Sequence, residues 1–221
     1  TLENMGFVQR TPDGRAYRLG LAVLRMGFEY LASLGMVELG RPLLERLRDE
    51  TGHTASLVVL DRRDVVYLLR AATHSPFATA VSVGTRLPAH ATVLGHVLLG
   101  DMSLAALRAL YPEPALVAHS VHTPRDCKAL LREVHAARER GWVLAEAYFE
   151  PHICTVAAPV HDESGHVVAA IGLTVPGASI PAERQEPLVQ ATRQAAQALS
   201  RLLNHHPDAD ADERVVRLHQ G

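Results

Sequence analysis

The 221-residue sequence contains two cysteines, Cys127 and Cys154. They fall in different predicted elements and share no metal-type spacing. This argues against a disulfide framework and for two reduced thiols in a cytoplasmic protein. No apolar run reaches the ~18–20 residues that a membrane span requires, and no secretory leader is recognisable. Neither charge sign dominates, with 22 Lys and Arg against 24 Asp and Glu and a net charge of −2. That balance rules out a wholly basic nucleic-acid coat but allows a local basic surface. The 13 histidines show no HxH or HExxH spacing, so no metal is expected. Nucleophile elbows, paired bases and Gly-rich phosphate loops are also missing. No catalytic residue and no cofactor are therefore expected, and the chain does not read as an enzyme.

What is present is an ordinary globular composition, 48% hydrophobic and 21% charged, long enough for one full domain and a smaller element. Phe7–Arg10 and Arg15–Leu19 read as short strands around the turn Thr11-Pro12-Asp13-Gly14, with Arg10, Arg15 and Arg18 on or near the hairpin. Leu21, Leu24, Phe28 and Leu31 recur at helical spacing and predict a one-sided apolar helix for linking or dimerisation. A further helix is predicted from Pro42 to Glu50, stopped by Gly52. Strands follow at His53–Leu60, Val65–Ala71 and Ala78–Val83. The polar turn Asp61-Arg62-Arg63-Asp64 makes the first two antiparallel neighbours. Helices are expected at Ser103–Leu110 and at Pro124–Arg140, the latter capped by Thr123 and ended by Gly141. Strands resume at Trp142–Glu146, Ile153–His161 and His166–Val175, and Leu188, Thr192, Ala195, Leu199 and Leu202 space out a last helix. Residues 205–221 read as a polar, disordered tail. The predicted fold class is α+β, an antiparallel sheet with helices on one face.

The segment Leu87-Pro88-Ala89-His90-Ala91-Thr92-Val93-Leu94-Gly95-His96 is the most informative. Thr92 is a good N-cap for a short apolar helix, so backbone N–H groups and hydroxyls are expected to gather at Ala91–Gly95. This is a way to hold a small anion without a catalytic group. The segment resembles the "LPxHATxxGxxxL" signature of IclR-type transcriptional regulators. Tyr17-Arg18-Leu19-Gly20, Thr51-Gly52, Gly141-Trp142 and Ala157-Ala158-Pro159-Val160-His161-Asp162 with Gly165 resemble further stretches of that family, in its order and spacing.

The resemblance implies a winged helix-turn-helix followed by a GAF-like effector-binding domain. It also implies a homodimer or homotetramer acting on promoter DNA of catabolic genes, in response to a small carboxylate and in some members an aromatic one. Residues 1–18 would then be the end of the DNA-binding domain, its earlier part preceding this chain. Residues 19–37 would be the linker helix and 38–204 the effector domain. The alternative is a GAF-like sensor or enzyme that does not act on DNA. The chain departs from the family pattern at His96 (often Lys), Tyr148 (often Glu), His152 (often Gly) and Gly172 (often Ser).

Strand alternation places Ile153, Thr155 and Ala157 on one face, and Val168, Ala170, Gly172 and Thr174 on one face of the last strand. Family members line their effector cavity at these positions. On the residues alone, Thr155 and Thr174 also suit half-buried strand positions. Cys154 points away, into the core. Arg70 shares a face with Val66 and Leu68 by simple alternation. It fits either a ligand carboxylate or a structural salt bridge. His90 fits a ligand contact or a loop-bracing role. Gly172, lacking a hydroxyl, is expected to leave room for a bulkier ligand. On the hairpin, Arg10, Arg15 and Arg18 are the candidate DNA contacts, although a solvated hairpin accounts for them equally.

Overall fold

The computed structural model describes residues 2–3, 5–11, 15–23, 35–73 and 81–203. The chain divides into two compact units, residues 1–38 and 39–221. In the first, β1 (Val8–Arg10) and β2 (Tyr17–Leu19) pair antiparallel with Val8 opposite Leu19. Thr11 closes the hairpin, its amide and hydroxyl both donating to the Ala16 carbonyl. A helix begins at residues 21–23. Leu24, Phe28 and Leu31 lie outside the described residues, as do Pro12, Asp13 and Gly14 of the turn and the predicted tail.

The second unit is built on a six-stranded antiparallel sheet. Its strands are β3 (Thr54–Asp61), β4 (Asp64–Ala71), β5 (Arg86–Pro88), β6 (Val143–Ala145), β7 (Ile153–His161) and β8 (Val167–Pro176), in the order β5-β4-β3-β8-β7-β6. The helices are α1 (Met36–Thr51), α2 (Val93–Leu98), α3 (Leu104–Leu110), α4 (Cys127–Arg140) and α5 (Ala182–Leu202). They cover both faces of the sheet, not the single face expected. Packed on one side are α1 and α5: a methyl at Gly40 would lie 3.3 Å from Leu57 and 3.6 Å from Leu199. There the Ser200 hydroxyl also accepts the His161 amide at 2.9 Å. On the other side, Val58, Val65, Tyr67, Ala157 and Ala170 form one core with Val93, Leu94, Leu107, Leu130 and Val134. None of the helices among the described residues is long and apolar enough to cross a membrane.

Several boundaries differ from the sequence reading for local reasons. Helix α1 starts at Met36 and carries Pro42 inside it. Proline is therefore not the start signal here. Of the strand expected at Ala78–Val83, residues 78–80 lie outside the described residues; Val81–Val83 are a loop and turn, and a short strand lies further on, at Arg86–Pro88. Helix α4 starts at Cys127 because Asp126, not Thr123, caps it by accepting the Ala129 amide at 2.8 Å. The Thr123 hydroxyl instead accepts the amides of His119 and Ser120, closing a turn. Gly141 ends α4 as expected, in the left-handed region at φ 70°.

Two bulges reassign side chains to faces. In β4, Leu57 pairs with Leu69 but Val58 pairs with Tyr67, so Leu68 is the extra residue. Arg70 consequently joins the face of Val65 and Tyr67 instead of that of Val66 and Leu68. In β8 the pairing of His161 with Val167 and of Val160 with Ala169 makes Val168 the extra residue. Val167, not Val168, then packs with Ala170 against the core.

Candidate functional site

The signature segment folds as a 3-10 turn, Ala89–Ala91, leading directly into α2. All ten residues from Ala91 to Gly100 are buried. Thr92 caps α2 through its hydroxyl, which accepts the Gly95 amide at 3.2 Å and donates to the Pro88 carbonyl at 3.3 Å. The expected gathering of donors at Ala91–Gly95 is thus partly spent inside the segment. Gly95 is dictated by close approach, since a methyl there would sit 2.0 Å from the Ala89 carbonyl oxygen.

Between α2 and the sheet lies a cavity of about 60 Å³ lined by Ser56, Tyr67, Arg70, Val81, Leu87, Thr92, Val93, Leu94, Phe149, Glu150, Ile153, Thr155 and Thr174. The structure brings together Arg70, Thr92, Val93, Leu94, Ile153, Thr155 and Thr174 from the sequence reading. It leaves His90, Ala91, Gly95 and Gly172 out of the lining. Val93, Leu94, Leu87 and Ile153 make apolar walls, and the polar groups concentrate around β3, β4 and β8. That combination of apolar walls and a few polar groups is typical of a small-molecule site. Among the described residues no cluster of His, Cys, Asp and Glu could hold a metal ion.

Arg70 is half-buried and donates to the Val81 carbonyl. Cross-strand from it is Ser56, whose own other neighbour is Gly172. Tyr67 is 7% exposed. Burial pushes its phenol up to about 12, with the Arg70 charge opposing that rise and Glu150 adding to it. The phenol is therefore a neutral donor at any physiological pH.

His90 is turned away from this cavity. Its Nε2–H donates to the Val117 carbonyl at 2.9 Å, and its ring stands edge-on to Tyr111 at 5.5 Å. Burial lowers its pKa, opposed by the Val117 bond. His96 is 3% exposed, and its Nε2–H donates to the His90 carbonyl at 3.0 Å. These two histidines brace the turn that carries the signature. Cys154 points to the opposite face, as expected, with its thiol donating to the Gly177 carbonyl at 3.2 Å.

Gly172 does not open space for a larger ligand. A methyl there would lie 2.6 Å from the Leu94 Cδ2 and 3.5 Å from its Cγ, so Leu94 already fills that volume. On the hairpin, Arg10 lies over the Tyr17 ring and donates to its hydroxyl at 2.8 Å. Arg15 and Arg18 are exposed.

The sequence reading missed Ser56, Tyr67, Val81, Leu87, Phe149 and Glu150. A hydroxyl among the aliphatic residues of Leu57–Leu60 was the available signal for Ser56. For Phe149 and Glu150, which lie in a loop, no spacing gave one.

A family model described as "Bacterial transcriptional regulator IclR C-terminal" matches residues 28–201. The chain belongs to the IclR family. It is 33% identical to the Pca regulon regulatory protein of Pseudomonas putida over 79% of this chain and 60% of that protein. It is also 31% identical to the HTH-type transcriptional regulator BhcR of Paracoccus denitrificans over 97% of this chain and 76% of that protein. The chain therefore spans a little under two thirds of the length of the first of these IclR relatives. Both relatives are regulators by name, not enzymes. The crystal structure of an IclR homolog from Microbacterium hydrocarbonoxydans, complexed with 4-hydroxybenzoate, matches with a TM-score of 0.77 and 27% identity over 92% of this chain and 82% of that one. The mixed fold, an antiparallel sheet flanked by helices, is that of the family's effector-binding domain.

Proposed function

We propose that the second unit is the effector-binding domain of a transcriptional regulator of catabolic genes, and that its effector is a small carboxylic acid, an aromatic one in particular. The observation that carries this is Arg70, a cation set in the wall of the cavity beside Ser56, Thr155 and Thr174. Its planar guanidinium fork matches a carboxylate. The 4-hydroxybenzoate complex of the Microbacterium homolog supports the same ligand class.

The cavity's volume is below the ~300 Å³ of ordinary ligand pockets. A ring-sized ligand therefore has to displace lining side chains, and a shift of Leu94 with α2 or of the Phe149 loop is a route by which its binding is signalled. Such a ligand changes DNA affinity only through unequal affinity for two arrangements of the protein.

In this reading Arg70, Thr92, Val93, Leu94, Ile153, Thr155 and Thr174 touch the ligand. His90, Ala91, Gly95 and Gly172 shape the turn and the strand behind them. Residues 1–18 supply the wing of a DNA-binding domain, with Arg10, Arg15 and Arg18 against phosphates, and residues 19–37 the linker. The assembly is a homodimer or homotetramer on promoter DNA in the cytoplasm.

A thermal-shift screen of aromatic and dicarboxylic acids tests the effector reading, because a bound ligand raises the apparent melting temperature by mass action. Acids should shift wild-type protein, and Arg70→Met should remove the shift. Equal shifts in both proteins, or none in wild type, would refute it.

A further inference from the structure

Among the described residues, three buried side-chain polar atoms have no hydrogen-bond partner: Ser56 Oγ, His90 Nδ1 and the Tyr111 hydroxyl. Of these three residues, Ser56 alone lines the cavity. It is 2% exposed and sits mid-sheet, with β4 on one side and β8 on the other. The strand ladders on both sides occupy the neighbouring backbone groups, and an extended strand offers its own side chains no local acceptor.

The residues around Ser56 do not satisfy it either. Gly172, opposite on β8, has no side chain, and the volume above it is filled by a Leu94 methyl. Two residues back along the same face, the Thr54 hydroxyl is engaged with Thr73. Opposite on β4 stands Arg70, whose guanidinium donates to the Val81 carbonyl. Directly paired residues have Cβ atoms ~4.5–5.5 Å apart, so the Ser56 hydroxyl and the Arg70 side chain start from adjacent points of the cavity wall. The Ser56 O–H, which the protein leaves unpaired, and the Arg70 guanidinium can donate together to one acceptor in the cavity. No protein group pairs with this hydroxyl, and a serine that served only packing would be better replaced by alanine.

We propose that Ser56 is a specificity-determining residue of this site, donating its O–H to the same ligand carboxylate that Arg70 attracts. This rests on the effector reading above. It adds that the ligand's acid group lies at the β3–β4 side of the cavity, over the Ser56–Arg70 pair, with its body toward Leu94 and Ile153.

The test compares Ser56→Ala with wild type in two measurements. The first is the melting temperature of the ligand-free protein. The second is calorimetric titration with benzoate, 4-hydroxybenzoate and, as the neutral control, 4-hydroxybenzamide. Ser56→Ala should leave the ligand-free melting temperature unchanged or raise it. It should weaken the best-binding acid by about tenfold or more, the size of a lost hydrogen bond to a charged group, while changing the amide less.

A lower melting temperature for ligand-free Ser56→Ala would make the hydroxyl a structural group and overturn the proposal. So would undiminished acid affinity, which would leave the effector reading standing. Failure of every acid to bind wild-type protein would bring down both readings together.

Discussion

Leu94 and Gly172 compete for one volume, and this can be measured. A methyl placed on Gly172 meets Leu94 Cδ2 at 2.6 Å, about 1 Å inside the ~3.5–4.0 Å of ordinary carbon contact. Leu94 lines the cavity, so its methyl can retreat only into that space. Overpacking of this kind costs about 1–3 kcal/mol. Replacing glycine by alanine in a strand returns about 0.4–1 kcal/mol through the unfolded chain. Gly172→Ala should therefore destabilise the protein by about 1–2 kcal/mol, the difference between those two effects. Leu94→Ala alone should cost about 2–3 kcal/mol, the low end for a buried leucine, because it borders a cavity already. In the double variant the clash is gone. Gly172→Ala should then be neutral or stabilising, a coupling of about 1–2 kcal/mol between contacting residues. Urea unfolding of the four proteins gives the cycle. An equal penalty for Gly172→Ala in both backgrounds would refute the competition, and with it the account of why β8 carries a glycine here.

Gly95→Ala should be far more damaging, since the added methyl would lie 2.0 Å from the Ala89 carbonyl oxygen and backbone cannot yield as a side-chain tip does; a variant that folds with wild-type stability would contradict the close approach of the turn to α2. His96 supplies a pH dependence. Burial lowers its pKa below the ordinary histidine value. Above pH ~6.5 both folded and unfolded chains hold it neutral, and its full contribution is present. As pH falls below that point the unfolded chain binds the proton first, and stability is lost until the folded pKa is passed. His96→Gln keeps an N–H for the His90 carbonyl but does not titrate. Wild type should lose more stability than this variant between pH 7.5 and 5.5 in urea melts, and equal losses would sink the assignment.

The signature helix and the strand–turn–strand pattern were legible because their cues are local. Thr92, Asp61–Asp64, Gly141 and Gly165 act within a few residues of themselves, and the Ile153–His161 strand was readable to the residue. What failed depended on distant partners. Counting back from the turn that pairs Asp61 with Asp64 would set Ser56 opposite Leu69. The bulge at Leu68 shifts it opposite Arg70, and alternation alone contains no mark of that bulge. The role of Gly172 was misread because the side chain that fills its space, Leu94, comes from a helix 78 residues earlier in the sequence. His90 looked like a ligand contact because the loop that takes its Nε2–H, at Val117, has no periodic signal. The second helical layer was missed because α1 buries Gly40 and Leu44 on the sheet in a stretch whose start was misread at Pro42.

The most direct test of the account is where an acid binds. Methyl-resolved NMR of the protein titrated with 4-hydroxybenzoate and benzoate reads this without a crystal. The cavity methyls of Val93, Leu94, Ile153, Thr155 and Thr174 should shift together in a saturable manner. Those of Leu44 and Leu199, packed on the opposite face of the sheet, should stay in place. Arg70→Met should abolish the shifts. Saturable shifts confined to another surface, or shifts at the cavity that survive Arg70→Met, would contradict the claim that this cavity holds a carboxylate through Arg70.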